Sequence, residues 1–339
     1  MCTWAGYIGE KDACRTLVEM GKKVEGIWSG FYSGIVTLDD KGFHYDKVIG
    51  NINCLEEKGI ISGFTGNIGL FHSRTNSGGG SEWAQPFVIP EKTLAVVGQG
   101  SRGFFSDEPI IESGNRMLDL GRYFTSSAKP CGRYPLLNDG KEAHVTEIIT
   151  QAIAVEYETC GNHTDAICRI LAKLPLESVF IFIFKDDPRS IYLGNINQRI
   201  VIGKDASGTY LGTSSLAFPE STNWLTEIPG NTVAKVSMDG IELKTLSWEK
   251  KLQPEEQFPY GIEQAFFEYV AENPGCFLAE IVDNALKPLF NGKKLQRRAV
   301  AGYQTMERLL KAEKIYLKTL EIPGVNESAP AVRTCFYCQ

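Results

Sequence analysis

A chain of 339 residues with 43% hydrophobic and 22% charged residues can bury a large core, and its length suggests two domains or one domain with an appendage. A net charge of −6 is not the basic excess of a nucleic-acid-binding protein, no apolar run approaches a membrane span, and no basic-then-apolar leader opens the chain. Nine cysteines, odd in number and scattered, do not read as a disulfide framework and point to a reducing cytoplasm.

Thr3–Ile8 is aromatic and β-branched and predicts a strand. Asp12–Val24 carries Ala13, Leu17 and Met20 at helical spacing and predicts an amphipathic helix. Gly34–Asp39 and Gly42–Val48 flank Asp39-Asp40-Lys41-Gly42, a hairpin signature. Thr65–Ser73 and Thr93–Val97 predict further strands. Thr146–Glu156 and Asp165–Leu174 predict two helices with apolar faces. Val179–Phe184 is a continuous apolar run, the pattern of a strand buried on both faces. Tyr192–Gly194, Ile200–Gly203, Thr209–Thr213 and Val233–Met238 follow as short strands between turns. Many strands around a few helices imply a layered α+β architecture.

The polar segment Lys250–Pro259 marks a domain boundary, dividing the chain into residues 1–250 and 251–339. Beyond it, Tyr260–Glu272, Leu278–Leu289 and Arg297–Glu313 predict three helices. Tyr316–Ile322 and Ala331–Tyr337 predict a hairpin. Three helices and a hairpin are the order of a winged helix. This part holds 11 Lys+Arg against 11 Asp+Glu, so residues 1–250 carry the whole negative balance.

Cys2 is the residue that carries most chemistry. Removal of Met1 leaves a thiol beside its own α-amine, which ordinarily titrates near roughly 7.7–8.0 and is partly neutral at cell pH. One residue then supplies nucleophile and base. A chance cysteine at position 2 is the competing reading, and the ordered segments that follow weigh against it. Met1-Cys2 leads into Gly6-Tyr7-Ile8-Gly9, then Gly30-Phe31-Tyr32-Ser33-Gly34, Phe71-His72-Ser73-Arg74-Thr75-Asn76-Ser77-Gly78, Val96-Val97-Gly98-Gln99-Gly100, Val201-Ile202-Gly203 and Gly212-Thr213-Ser214-Ser215.

In that order and spacing, residues 1–250 resemble the glutaminase domain of class II glutamine amidotransferases, which are N-terminal-nucleophile hydrolases; the nearest likeness is to the glutaminase half of glucosamine-6-phosphate synthase. The resemblance implies a four-layer αββα sandwich, to which the winged-helix-like part is appended. It implies amide hydrolysis with Cys2 as nucleophile and an oxyanion hole from the Gly100 N–H and the Gln99 side-chain amide. Arg74 would hold the substrate carboxylate, with Thr75 and Ser77 beside it. The implied partners are glutamine or a related small amide, a synthase subunit that accepts ammonia, and a second copy of the chain. No cofactor or metal is required, and four histidines unclustered with cysteines make no zinc pattern.

The sequence also departs from the family. Thr3 stands where the nucleophile is usually followed by Gly, and Gln99 replaces Asn. Val145 falls at the acidic position that grips the substrate ammonium, so Asp139 or Glu142 is the expected substitute, or the substrate is not glutamine. Gly78-Gly79-Gly80, without a following Gly-Lys-Ser/Thr, reads as a flexible loop beside the site rather than a phosphate cradle. Cys335-x-x-Cys338, lacking a second pair, reads as alternating strand residues. A sugar-isomerase half needs roughly two further domains, so sugar-phosphate amination by this chain alone is not expected.

Two other classes compete. One is a catalytically degenerate sensor or transcriptional regulator, whose Lys293, Lys294, Arg297 and Arg298 lie where a DNA-reading helix begins; the domain's zero net charge weighs against DNA. The other is a choloylglycine- or penicillin-acylase-type hydrolase, which lacks support from an Arg-Asn-Phe-Asp-like segment.

Overall fold

The computed structural model describes residues 2–101, 108–173, 177–247, 258–290, 298–326 and 329–339. The chain opens with β1 (Thr3–Gly9) and α1 (Ala13–Val24), whose N-terminus Asp12 caps by accepting the Arg15 N–H at 2.7 Å. β2 (Tyr32–Asp39) and β3 (Gly42–Ile49) form the expected hairpin, its turn closed by Asp39 Oδ1 on the Lys41 and Gly42 N–H groups. Then follow α2 (Ile52–Glu57), β4 (Ile68–Arg74), β5 (Phe87–Val88), β6 (Leu94–Ser101), α3 (Glu108–Asp119), α4 (Val145–Cys160) and α5 (His163–Lys173). The strands β7 (Glu177–Phe184), β8 (Ile191–Ile196), β9 (Val201–Asp205), β10 (Gly208–Gly212), β11 (Trp224–Glu227), β12 (Thr232–Val236) and β13 (Ile241–Thr245) come next. The remainder is α6 (Ile262–Glu272), β14 (Cys276–Phe277), α7 (Leu278–Ile281), α8 (Arg298–Lys311), β15 (Ile315–Ile322) and β16 (Ala331–Cys338).

Two antiparallel sheets stack. One has the order β11-β9-β10-β1-β4-β2-β3, the other β13-β12-β8-β7-β6-β5. Side-chain alternation assigns each face. On β7, Val179, Ile181 and Ile183 fill the layer between the sheets, while Phe180, Phe182 and Phe184 pack with Ile148, Ile149 and Ile167 of α4 and α5. On β1, Trp4 and Ile8 point between the sheets, and Ala5 and Tyr7 point outward to Leu17 of α1. Helices therefore cover both outer faces, giving the expected αββα sandwich.

The last third forms a three-stranded sheet, β14-β16-β15, with α6, α7 and α8. The helix expected over Leu278–Leu289 instead runs as α7, a π-helical turn over Val282–Leu286 and a 3₁₀ turn over Lys287–Phe290. Pro288 is the physical reason: it lacks the N–H that a continuing α-helix would donate to the Asn284 carbonyl. The boundary expected at Lys250–Pro259 falls mostly on residues 248–257, outside the described residues. From residue 258 onward the chain shares a core with the first layer: Phe266, Tyr303, Met306 and Phe336 join one cluster with Leu17, Met20 and Ile27. β16 runs against residues 26–31, with the Val332 N–H donating to the Gly30 carbonyl at 3.2 Å. A Cβ on Gly30 (φ +109°) would lie 2.3 Å from the Val332 carbonyl oxygen, so only glycine allows this approach.

Phe266 is fully buried in that shared cluster. Phe266→Ala is expected to lower stability by about 3–5 kcal/mol through lost burial and a residual cavity. A urea-denaturation midpoint followed by far-UV circular dichroism checks this.

Candidate functional site

The layer between the sheets is apolar along most of its length and becomes polar at one end. The same alternation explains which side chains arrive there. Cys2 shares parity with Trp4 on β1, His72 and Arg74 with Leu70 on β4, Gln99 with Val97 on β6, and Asn195 with Leu193 on β8. All five therefore lie on the inter-sheet side. The register that pairs Thr3 with Ser73, continued by one residue, brings half-buried Cys2 level with Arg74. His72 Nε2 bonds the Gly98 carbonyl at 3.1 Å, which ties the two sheets together at this end. Burial pushes His72 down to about 3, so it is a neutral strut rather than a base.

Arg74 is 1% exposed, and its Nε and Nη1 find no hydrogen-bond partner among the described residues. Nη2 donates to the Gly78 carbonyl at 2.6 Å, and the guanidinium lies 4.5 Å from the Tyr32 ring centroid and 5.9 Å from that of Trp83. Such faces stabilise a cation but do not satisfy its N–H donors. The triglycine loop is shaped by this packing. Tyr32 Oη donates to the Gly79 carbonyl at 2.8 Å, and a Cβ on Gly79 (φ +75°) would sit 2.0 Å from the Trp83 ring. Trp83 thus excludes a side chain at Gly79, whereas a Cβ on Gly78 would meet nothing nearer than 3.6 Å. Thr75 and Ser77 form the turn after β4, with the Ser77 N–H on the Thr75 carbonyl at 2.9 Å. The structure brings Arg74, Thr75 and Ser77 together around Gly78.

Gln99 and Gly100 continue β6 rather than forming a turn. Gln85 takes both backbone groups of Gly98, its Oε1 accepting the N–H at 2.7 Å and its Nε2 donating to the carbonyl at 2.9 Å. Strand periodicity then turns the Gly100 N–H to the same side, away from β7. The Gln99 amide differs from expectation: Nε2 donates to Gln198 Oε1 at 3.2 Å, which leaves one of its two hydrogens to serve elsewhere. The extra methylene relative to Asn lets it reach that partner.

Neither expected ammonium ligand is free for the task. Asp139 is exposed and accepts the Lys141 N–H. Glu142 is buried and holds the loop 131–134, accepting the N–H groups of Cys131, Gly132, Arg133 and Tyr134. Those bonds hold its carboxyl below the ordinary range against the upward push of burial. The loop in turn places the Tyr134 hydroxyl 3.5 Å from Arg74 Nη2. Lys293, Lys294 and Arg297 of the DNA reading lie outside the described residues, as does the side chain of Arg298, which opens α8. All nine cysteines are free, and Cys335 and Cys338 lie on β16. No described helix is long and apolar enough to cross a membrane.

The sequence reading missed a polar group behind the site. Asn195, Gln198 and Arg199 are buried where β8 gives way to β9, and Tyr303 and Glu307 reach them from α8. The polar run Asn195-Ile-Asn-Gln-Arg199 between two apolar strands was the available signal. Glu25 was also unremarked. It is fully buried and accepts from Ser33 Oγ, from Ser73 Oγ at 3.1 Å and from the Ile52 N–H at 2.9 Å. It anchors β4 one residue before Arg74.

No family model matches the chain. Among curated proteins it is similar to the isomerizing glutamine–fructose-6-phosphate aminotransferase of Thermococcus kodakarensis, 24% identical over 307 residues, covering 89% of this chain and 47% of that protein. The Pyrococcus horikoshii protein of the same name is 25% identical over 249 residues, covering 73% and 38%. The chain spans less than half the length of these relatives. Among solved structures it is similar to the glutamine phosphoribosylpyrophosphate amidotransferase of B. subtilis in complex with ADP and GMP, with a TM-score of 0.57, 15% identity and coverage of 78% of this chain and 52% of that one. A structure described as the allosteric regulatory enzyme of purine biosynthesis gives 0.58, 15%, 79% and 52%. The chain has the class II glutamine amidotransferase fold. The αββα layers and the polar end between the sheets are the parts of that fold on which a site can be built.

Burial pushes Glu25 up from 4.5 to about 7, with the hydrogen bonds from Ser33, Ile52 and Ser73 opposing. The folded chain then keeps this proton to about pH 7, while the unfolded chain releases it near 4.5. Unfolding releases a proton between these values, so this group makes stability fall as pH rises through that window. Glu25→Gln is expected to flatten that slope, measured as the unfolding midpoint across roughly pH 5 to 8.

Proposed function

We propose that this chain is a cysteine amidohydrolase of the glutamine amidotransferase type, releasing ammonia from glutamine or a closely related amide. The observation that carries the reading is the convergence of Cys2 and the under-satisfied Arg74 guanidinium at one polar end of the inter-sheet layer. A buried cation with two idle donors fits an anionic group such as a carboxylate. The curated relatives, both named for glutamine, support the substrate class.

With Met1 removed, the Cys2 α-amine accepts the thiol proton. The thiolate attacks the side-chain amide carbon, and the oxyanion is met by the Gly100 N–H and the remaining Gln99 amide hydrogen. The protonated amine returns its proton to the leaving nitrogen, the C–N bond breaks, and ammonia departs from a thioester. Water, deprotonated by the same amine, attacks the thioester carbonyl, and the carboxylic acid and thiol are regenerated. Asp139 and Glu142 are both engaged elsewhere, so we assign no carboxylate to the substrate ammonium. Nine free thiols fit a reducing cytoplasm. The ammonia acceptor would lie on another subunit or on a domain outside this chain. We read residues 258–339 as a winged-helix-like unit with a structural rather than a DNA-binding task.

Intact mass before and after treatment with a diazo-ketone analogue of glutamine tests the reading. Loss of Met1 and one adduct at Cys2 is expected, and Cys2→Ala should abolish both the adduct and turnover. A retained Met1 would overturn the catalytic reading and favour the sensor. Arg74→Lys is expected to raise KM about 10- to 100-fold with a smaller effect on kcat, the worth of one charge-assisted pair. Steady-state kinetics with glutamine measure this.

A further inference from the structure

Helix α8 comes from the last third of the chain, yet two of its side chains end beside the reactive end of the first strand. Thr3 faces outward from β1, opposite in parity to Trp4, and its hydroxyl lies 3.5 Å from the hydroxyl of Tyr303. Tyr303 is 1% exposed and packs against Trp28, with ring centroids 6.1 Å apart. One turn further along α8, Glu307 makes a tighter set of contacts. Its Oε1 accepts from Ser214 Oγ at 2.5 Å and from the Ser215 N–H at 3.0 Å. Its Oε2 accepts from Arg199 Nη2 at 2.7 Å. Arg199 is held from its other side by Glu227 Oε1, at 3.1 Å from Nε and 2.9 Å from Nη2.

The residues gripped are the neighbours of the chemical groups. Thr3 adjoins Cys2. Arg199 adjoins Gln198, whose Oε1 holds the Gln99 amide at 3.2 Å. β10 leaves β1 at Gly212, opposite Ala5, so Ser214 and Ser215 follow at the Cys2 end of the sheet. A single helix thus fixes the nucleophile's strand, the turn beside it and the partner of the oxyanion donor. Burial pushes the Tyr303 phenol up to about 12; Thr3, Thr213 and Arg199 oppose this, and Cys2 is close enough to add to it.

We propose that Tyr303 and Glu307 are positioning residues for the Cys2 site, so that α8 completes the site from outside the αββα sandwich. The proposal rests on the reading of Cys2 as nucleophile. Tyr303 restrains Thr3 and thereby the orientation of the thiol and its amine. Glu307 restrains the Ser214–Ser215 turn and, through Arg199 and Gln198, the Gln99 amide. Neither residue exchanges a proton with substrate.

The test uses the full chain with Met1 loss verified by mass, in the variants Tyr303→Phe and Glu307→Gln, which keep ring packing and side-chain shape. The first readout is the second-order rate of Cys2 alkylation by iodoacetamide, taken from the Cys2 peptide, with the exposed Cys131 as internal reference. The expected result is a fall of about threefold for Tyr303→Phe and about three- to tenfold for Glu307→Gln, the worth of single hydrogen bonds, with Cys131 unchanged. The second readout is glutamine turnover, where kcat should fall by a similar factor with KM within twofold. Thr3→Val should produce the same loss as Tyr303→Phe, with no further loss in the double variant. Cys2 alkylation that is unchanged or faster in both variants, even with a lowered melting temperature, would overturn the proposal and leave α8 a packing element. A wild type that alkylates at Cys2 but turns over no glutamine would sink the proposed function, while the alkylation comparison still decides the role of α8.

Discussion

Two sheets stacked face to face force a choice on every strand: alternate residues must enter the layer between the sheets or the layer beneath the helices. Apolar residues fill both layers over most of the strands, as Val179, Ile181 and Ile183 do on one side of β7 and Phe180, Phe182 and Phe184 on the other. Among the described residues no helix contributes to the apolar layer between the sheets. Where the strands end, it must finish in water or in a polar cluster, and here it finishes in His72, Arg74, Gln99, Asn195 and half-buried Cys2. The candidate site is thus a consequence of parity. Shifting β1 by one residue would turn Cys2 toward α8 and Thr3 inward.

The polar end also has to satisfy its own hydrogen bonds, and it does so unevenly. Gly98 is served by both Gln85 and His72, and Glu25 accepts three bonds from three different segments. Most of these strut atoms are engaged, although His72 Nδ1 is buried without a partner among the described residues. Arg74 is the charged case: it is enclosed by Tyr32, Trp83 and the glycine loop, yet among the described residues its Nε and Nη1 find no partner. Leaving a buried cation short of acceptors costs stability that packing alone does not return. An arrangement this tightly built around an incomplete set of bonds fits a group held ready for an anion better than a structural ion pair.

Much of this was legible from the residues. The strand that follows Cys2, the hairpin around Asp39–Gly42 and the doubly buried Val179–Phe184 follow from periodicity and turn chemistry, whereas Arg74, Thr75 and Ser77 were expected from the family resemblance alone. Other features depend on tertiary contact. No element was expected over α3, and its mid-helix Gly114 is explained only by the fold, where it lets Leu137 pack against the helix: a Cβ there would lie 2.6 Å from Leu137 Cδ2. Glu142 looked available as a ligand, since nothing local announces that four backbone N–H groups of residues 131–134 converge on it. Gln99 looked like a lengthened Asn because Gln198, its partner, lies a whole domain-length later. Tyr303 and Glu307 were invisible for the same reason: on α8 they read as ordinary members of a helix whose Met306 and Leu309 face the core.

The shared core of the last third changes what that part can do. If residues 258–339 were a tethered module, its binding events would reach Cys2 only through a flexible linker. Instead Phe266, Met306 and Phe336 lie in the same apolar cluster as α1, and β16 closes on Gly30. A force applied to α8 would therefore pass through packed side chains to Thr3, the residue that follows Cys2. Close-packed interiors shift between discrete arrangements rather than deforming smoothly. A partner seated on this unit would couple to the Cys2 end of β1 only as far as it bound one such arrangement more tightly than another.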